Sequence, residues 1–311
     1  MTAVKPEKAT IPIALPSDTA GTMPTRVAQD AGYFAKFGLT VNVNIVSAAT
    51  AAQALTSGSV DLYLGGTTPI SADLGGADLI YFAAPVDRSN LELIGQKGIT
   101  QFEQLRGKSV GTTTPGAFGE VAMKATAKKY GMEIPKDIKL LYHPSSSASL
   151  TTFLSNNSDG LIAPPPFSTQ ATDKGYPVIV DFYKEGFKIV GPALSTRRDF
   201  YEKNPNTLKA FLMGYLDALK RAIDDPTYFK SVESKYAKIT DQALLDSDYQ
   251  DALRTWNKDL RVDPASIQVV LDTSDSPQAK SFDVKRLYDN TVVDQVMRDY
   301  GAKLFPNDVK A

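Results

Sequence analysis

The chain has 311 residues, 42% of them hydrophobic and 22% charged, and its 34 Lys and Arg balance 35 Asp and Glu to a net charge of -1. That length suits two ordinary domains, and the near-zero charge excludes an overall field that would draw in nucleic acid or an anionic membrane. The lack of cysteine excludes disulfides, thiolate catalysis and cysteine-ligated metal, and a single histidine excludes a multi-histidine metal site.

Up to about residue 200, strand and helix signals alternate at a spacing that implies βα units and parallel sheets. A strand is expected over 11–15, then a helix bracketed by Pro24 and Gly32. Strands over 41–46 and 60–64 flank a short helix over 51–56 that Gly58 closes. Further strands are expected over 79–86 and 91–96. A second set of units begins near Ile99: a helical turn over 101–105, a strand entered from Gly107, a helix over 118–130, and strands over 138–142 and 160–163 separated by a helix over 148–155. A helix over 167–174, a strand over 178–182 and a return strand over 189–195 complete it.

From Asp199 the pattern becomes one of long amphipathic helices. Leu208, Phe211, Leu212, Tyr215, Leu219 and Ile223 recur at helical spacing over 206–224, which predicts a helix docking its apolar face on a core. Pro226, Pro264 and Pro277 punctuate the remaining helices, and there is no repeat array or low-complexity segment. The expected architecture is α/β, with two Rossmann-like lobes of mixed, mainly parallel sheets hinged around a central cleft. Residues 1–95 plus 196–311 would form lobe 1 and residues 96–195 an inserted lobe 2.

Candidate site residues lie just past the strands, where open α/β sheets bind their ligands. They are Ser17, Asp18 and Thr19; Ser47 and Thr50; Gly66, Thr67 and Thr68; Thr113, Thr114 and Gly116; and His143 and Ser145. Each hydroxyl is open to two readings, as an N-cap or as a ligand donor, and the clustering points to a binding cleft. Arg88 is placed to pair with a ligand carboxylate or sulfonate, with Asp87 as an alternative partner. Phe118 and Phe167 start helices in the inserted lobe and are placed to cover a ring or alkyl ligand, Phe167 behind a stiff run of three prolines. Residues 111–116 begin like a phosphate-binding P-loop, but Ala117 and Phe118 stand where that motif needs Lys and Ser or Thr, so nucleotide hydrolysis is rejected. No catalytic set can be named around one histidine, and no cofactor or metal is expected.

The segments 32–39, 54–64, 105–111, 159–166 and 267–293 give the chain a further meaning. They resemble the signature of the nitrate-, alkanesulfonate- and taurine-type (NMT1/THI5-like) binding proteins that feed ABC importers. In that family the acidic residue after the Ser-Gly turn, here Asp61, opens a buried strand whose far end meets the ligand. The resemblance implies a type II periplasmic binding protein that captures a small organic anion or polar heterocycle by hinge closure. Its implied partner is a membrane permease and its implied state a monomer outside the cytoplasm. Residues 1–4 do not look like an export leader, so the expectation is that the leader was removed and a start Met added. An enzyme on the same fold, or a ligand-sensing domain, is the alternative.

Overall fold

Period-two alternation builds the first strand: Ile11, Ile13 and Leu15 of the run TIPIAL pack into one cluster while Ala14 packs into another. The computed structural model describes residues 4–188 and 190–308, leaving aside the side chain of Ala49. The chain divides into two units, residues 1–87, 190–268 and 281–311 in the first, and 88–189 and 269–280 in the second. No helix among the described residues is long and apolar enough to cross a membrane.

Unit 1 holds β1 (Thr10–Leu15), α1 (Met23–Asp30), α2 (Tyr33–Lys36), β2 (Thr40–Ile45), α3 (Ala48–Ser57), β3 (Leu62–Gly65), α4 (Thr68–Leu74) and β4 (Leu79–Ala83). Its sheet runs β2-β1-β3-β10-β4, where β10 is Ala193–Arg197. β1 pairs in parallel with β2 and β3, and β10 runs antiparallel to β3 and β4. One face is covered by α1 and the helix of residues 205–224, whose Leu208, Phe211, Leu212, Tyr215 and Leu219 are buried as their spacing predicts. Phe34 stacks on Phe211 at 4.9 Å between ring centroids. The other face carries Ala51 and Leu55 of α3 over Ala14, Tyr63 and Leu79. Asp61 is buried and bound by Lys8 Nζ at 2.7 Å, which anchors the start of β3.

Unit 2 holds β5 (Glu92–Gly95), β6 (Lys108–Thr112), α5 (Phe118–Lys129), β7 (Ile138–Tyr142), α6 (Ser146–Leu154), β8 (Gly160–Ala163), α7 (Phe167–Thr172) and β9 (Val178–Asp181). Its sheet runs β7-β6-β8-β5-β9, the same pattern as unit 1: parallel strands with a single antiparallel strand in fourth place. Ala122, Met123 and Ala127 of α5 cover one face with Val110, Leu140 and Ile162, while Leu150 and Phe153 of α6 cover Ile94 and Leu161 on the other.

The units divide at different points from the lobes expected from sequence. Cross-strand pairing puts β5 into the second sheet, between β8 and β9, so the change of unit comes before residue 92. Residues 269–280 group with unit 2, where Lys124 Nζ meets Asp275 Oδ2 at 2.5 Å. The return strand is Ala193–Arg197, later than the expected 189–195, and Ile189 lies outside the described residues.

The remaining helices belong largely to unit 1: α8 (Arg198–Lys203), α9 (Pro205–Asp224), α10 (Pro226–Ala237), α11 (Gln242–Thr255), α12 (Pro264–Thr273), α13 (Thr291–Val296) and α14 (Ala302–Leu304). The boundary at 268/269 falls within α12.

Candidate functional site

In unit 1 the loop after β1 is held by its own side chains. Arg26 donates from Nε to Asp18 Oδ1 at 2.8 Å and from Nη2 to Oδ2 at 3.1 Å, so both Asp18 oxygens are engaged. Thr22 Oγ1 donates to the Ser17 carbonyl at 2.9 Å and accepts from the Thr19 N–H at 3.1 Å. After β2, Ser47 caps α3: its Oγ accepts the Thr50 N–H at 3.2 Å and lies 2.8 Å from Thr50 Oγ1.

The turn after β3 is different. Tyr81 Oη donates to the Gly66 carbonyl at 2.7 Å, and Thr67 is fully buried at the start of α4. Thr68 Oγ1 and Tyr63 Oη are both buried, and the Thr68 side chain interacts with the Tyr63 hydroxyl. Burial pushes the Tyr63 phenol up. Its ring lies against Gly65, where an added Cβ would stand 2.0 Å from Tyr63 Cζ, so that position admits only glycine.

In unit 2 the loop after β6 closes on Glu120. This residue is the third of α5, is 7% exposed, and its Oε2 accepts the Gly116 N–H at 2.8 Å. Its Oε1 meets Lys124 Nζ at 2.8 Å. Gly116 sits at φ +73°, which permits this turn. Thr113 is half-buried and Thr114 exposed, with the Thr114 carbonyl accepting the Ala117 N–H at 3.1 Å.

Past β7, the His143 N–H donates to the Thr112 carbonyl at 3.0 Å, and its Nε2 is buried without a partner. Ser145 caps α6, accepting the Ala148 N–H at 3.2 Å. Phe118 and Phe167 are both half-buried and pack on unit 2's own clusters, Phe118 with Ala122 and Met123 and Phe167 with Phe153 and Leu161. Ser168, next to Phe167, is fully buried with an unpaired hydroxyl. Arg88 is exposed, with its guanidinium 5.7 Å from the centre of the Tyr183 ring.

The sixteen residues singled out from sequence therefore fall into distinct roles. Ser47, Thr50 and Ser145 are occupied in caps, Asp18 in an ion pair, Thr68 lies against the buried Tyr63 hydroxyl, and His143 carries a buried Nε2 with no partner. Tyr63, Glu120, Tyr142 and Ser168 were not singled out as site residues. Glu120 had only a weak signal, an acid in the first turn of a helix, because the N-cap is Ala117 and no capping box is formed. Tyr63 and Tyr142 are legible only as aromatics near the strand mouths, a position more often core than site, and Ser168 gives no signal. Among the described residues no group of three or more His, Cys, Asp or Glu is placed to hold a metal ion.

Two α/β units with matching mixed sheets and strand-end loops define the periplasmic binding protein fold, which a Candida albicans protein also exhibits at a TM-score of 0.68 and 16% identity. The family described as NMT1/THI5 like matches residues 20–228, more than half of the chain, and the chain belongs to it. No curated protein sequence matches the chain. Among solved structures, a protein of Bordetella bronchiseptica RB50 superposes with a TM-score of 0.79 at 20% identity, covering 95% of this chain and 99% of that one. The periplasmic nitrate-binding protein NrtA of Synechocystis PCC 6803 superposes at 0.76 and 15% identity, covering 97% and 92%. The periplasmic aliphatic sulphonate binding protein SsuA of Escherichia coli gives 0.68 at 18% identity, covering 79% and 84%. The fold also hosts catalysis: the desulfurization enzyme DSZB superposes at 0.64 with 12% identity, covering 94% and 99%.

Proposed function

We propose that the chain is the solute-binding component of an ABC importer, acting outside the cytoplasm as a monomer and delivering a small organic solute to a membrane permease. The solute is an organic anion or a polar heterocycle, held by the loops at the carboxyl ends of the strands. The observation that carries this reading is the unsatisfied group in one of those loops, His143 Nε2 after β7. Buried polar atoms left without partners within the protein are what a polar ligand would complete. The nitrate- and sulphonate-binding proteins of like fold, and membership of the family, support the transport role.

Binding rather than turnover is the better reading of the chemistry. The Nε2 of the one histidine is buried beside Gly111, as are the hydroxyls of Ser149 and Ser158, and no carboxylate engages that nitrogen. The test is a thermal-shift screen of sulfonates, carboxylates and heterocycles, followed by mass spectrometry of the recovered compound. A ligand-dependent rise in melting temperature with the compound recovered unchanged is expected. A flat response across the panel, or a recovered product, overturns the proposal.

A further inference from the structure

The two units build one corner in different chemistry. Val46 follows β2 and its N–H donates to the Leu15 carbonyl at 3.0 Å; His143 follows β7 and its N–H donates to the Thr112 carbonyl at 3.0 Å. Leu15 pairs with Ile45 as Thr112 pairs with Tyr142, so Ala14 and Gly111, one residue earlier, are counterparts. Ala51 and Ser149 each give their N–H to the carbonyl of the serine that caps their helix, Ser47 and Ser145. The N–H groups of Asp61 and Asp159 donate to Pro12 and Ser109 on the neighbouring strand, both at 2.9 Å, which makes Val60 and Ser158 counterparts as well.

In unit 1 these positions are apolar: Ala14, Ala51 and Val60 share one cluster, with Val46 packed against it. In unit 2 they are Gly111, His143, Ser149 and Ser158. Ser149 is fully buried and Ser158 is 3% exposed. Neither hydroxyl, nor the buried His143 Nε2, has a hydrogen-bond partner among the described residues. All three gather about Gly111, where an added Cβ would lie 2.6 Å from Ser149 Oγ and 3.6 Å from each of the other two. The fold needs no polar atom here, since an apolar set builds the same corner in unit 1. Unpartnered polar atoms are costly to bury, so three at one point call for a group that completes them.

We propose that His143, Ser149 and Ser158 form a subsite that takes one small, uncharged hydrogen-bonding group of the solute, a hydroxyl or a carboxamide. This rests on the reading that the strand-end loops hold the solute, and says which part of it enters beside β6. A serine hydroxyl both donates and accepts, and an imidazole nitrogen does one or the other, which suits a group that itself does both. None of the three brings a fixed charge, and a carboxylate or sulfonate buried without a paired cation is strongly disfavoured. Any anionic group of the solute therefore lies outside this subsite.

Matched compounds test it: benzoates and propanesulfonates whose far end carries hydroxyl, carboxamide, methyl or carboxylate, measured by calorimetry against the whole chain. The wild type is expected to bind the hydroxyl or carboxamide member at least tenfold more tightly than the methyl and carboxylate members. Ser149→Ala with Ser158→Ala is expected to shrink that ratio below threefold without lowering the melting temperature. Should the pair fail to fold, each single variant serves instead. Preference for the methyl or carboxylate member, or a ratio that no variant moves, overturns the inference while the binding reading stands. A fall in melting temperature with the ratio unmoved assigns the hydroxyls to a buried water only, and overturns it too. If the sets fail but another compound of the thermal-shift screen binds, unchanged affinity of that compound for the serine variants overturns the inference alone. No binding by any compound overturns both.

Discussion

Asp18 gives both carboxylate oxygens to the Arg26 guanidinium, and the two side chains are only 11% and 10% exposed. Arg26 also lies 4.5 Å from the centre of the Tyr236 ring, so the loop after β1 is tied to α10 through one side chain. Asp18→Asn is expected to cost about 3 kcal/mol, because it leaves a largely buried guanidinium without its charge partner. Lys220→Ala removes the exposed i,i+4 pair with Asp224 and is expected to cost about 0.5 kcal/mol or less. Urea denaturation of both variants checks the contrast. An Asp18 variant as stable as the wild type would make that residue a free ligand acceptor again.

Thr68 and Ser47 begin neighbouring helices and carry the same kind of hydroxyl, yet opposite outcomes are expected of them. Thr68→Val deletes a hydroxyl that caps no backbone group and meets only the Tyr63 phenol, so stability should fall by no more than about 0.5 kcal/mol. Solute affinity should fall about tenfold if that hydroxyl completes itself on the ligand. Ser47→Ala removes the cap that holds the Thr50 N–H and should cost about 1 kcal/mol of stability with affinity unchanged. Paired melting and binding curves separate the two. Equal stability losses would make both residues caps.

The contrast marks the limit of what the sequence could tell. Strands were readable where alternation or a short β-branched run was bounded by turn residues, and β7 and β8 fall on the expected 138–142 and 160–163. Gly58 closes α3 in the left-handed conformation that its position announced. The place of β5 was not readable, because its neighbours β8 and β9 lie more than sixty residues away and local pattern says nothing of such pairing. The same holds for the site. Ser47, Thr68 and Ser145 look alike in one dimension, and only tertiary packing decides which hydroxyl caps a helix and which meets the Tyr63 phenol. Asp275 could not have been linked to Glu120 from sequence at all, since Lys124, which joins them, lies 151 residues from Asp275.

Glu233 on α10 and Asp248 on α11 predict an unusual pH dependence. Glu233 is fully buried with neither carboxyl oxygen paired, and burial, then the Asp248 charge, push it up to about 8. Burial, then the Asp251 charge, raise Asp248 to about 7, while Arg254 is engaged with Asp251 at 2.6 Å. The folded chain thus keeps protons that the unfolded chain releases above about pH 4–4.5. Stability from these groups is fully present below that value and is lost as pH rises towards 8, by up to about 1.4 kcal/mol per pH unit for each group. Carboxyls held low by their partners, such as Asp30 and Asp159, act in the opposite sense only in acid. Asp73, raised to about 7, adds to the loss at neutral pH. Denaturant midpoints between pH 5 and 8.5 should therefore fall more steeply for the wild type than for Glu233→Gln. Parallel curves would show that Glu233 does not titrate in this range.

Gly111 in β6 tests how closely the polar groups behind the second sheet are set. An added Cβ would stand 2.6 Å from Ser149 Oγ and 3.6 Å from both His143 Nε2 and Ser158 Oγ. All three polar atoms are buried and unpartnered, so no hydrogen bond fixes them and the obstruction is steric. Gly111→Ala is expected to cost about 2 kcal/mol, the usual range for overfilling a packed site. Ser149→Ala alone should be close to neutral, since its hydroxyl satisfies nothing. Combined with Gly111→Ala it removes the atom that the new methyl would strike, and should recover about half or more of the loss. A double variant no more stable than Gly111→Ala alone would move the obstruction to the backbone of β6. A recovery of stability without a recovery of solute binding would instead separate the packing of β6 from the binding role of the loop after β7, since His143 Nε2 at 3.6 Å is only in ordinary contact with the new methyl.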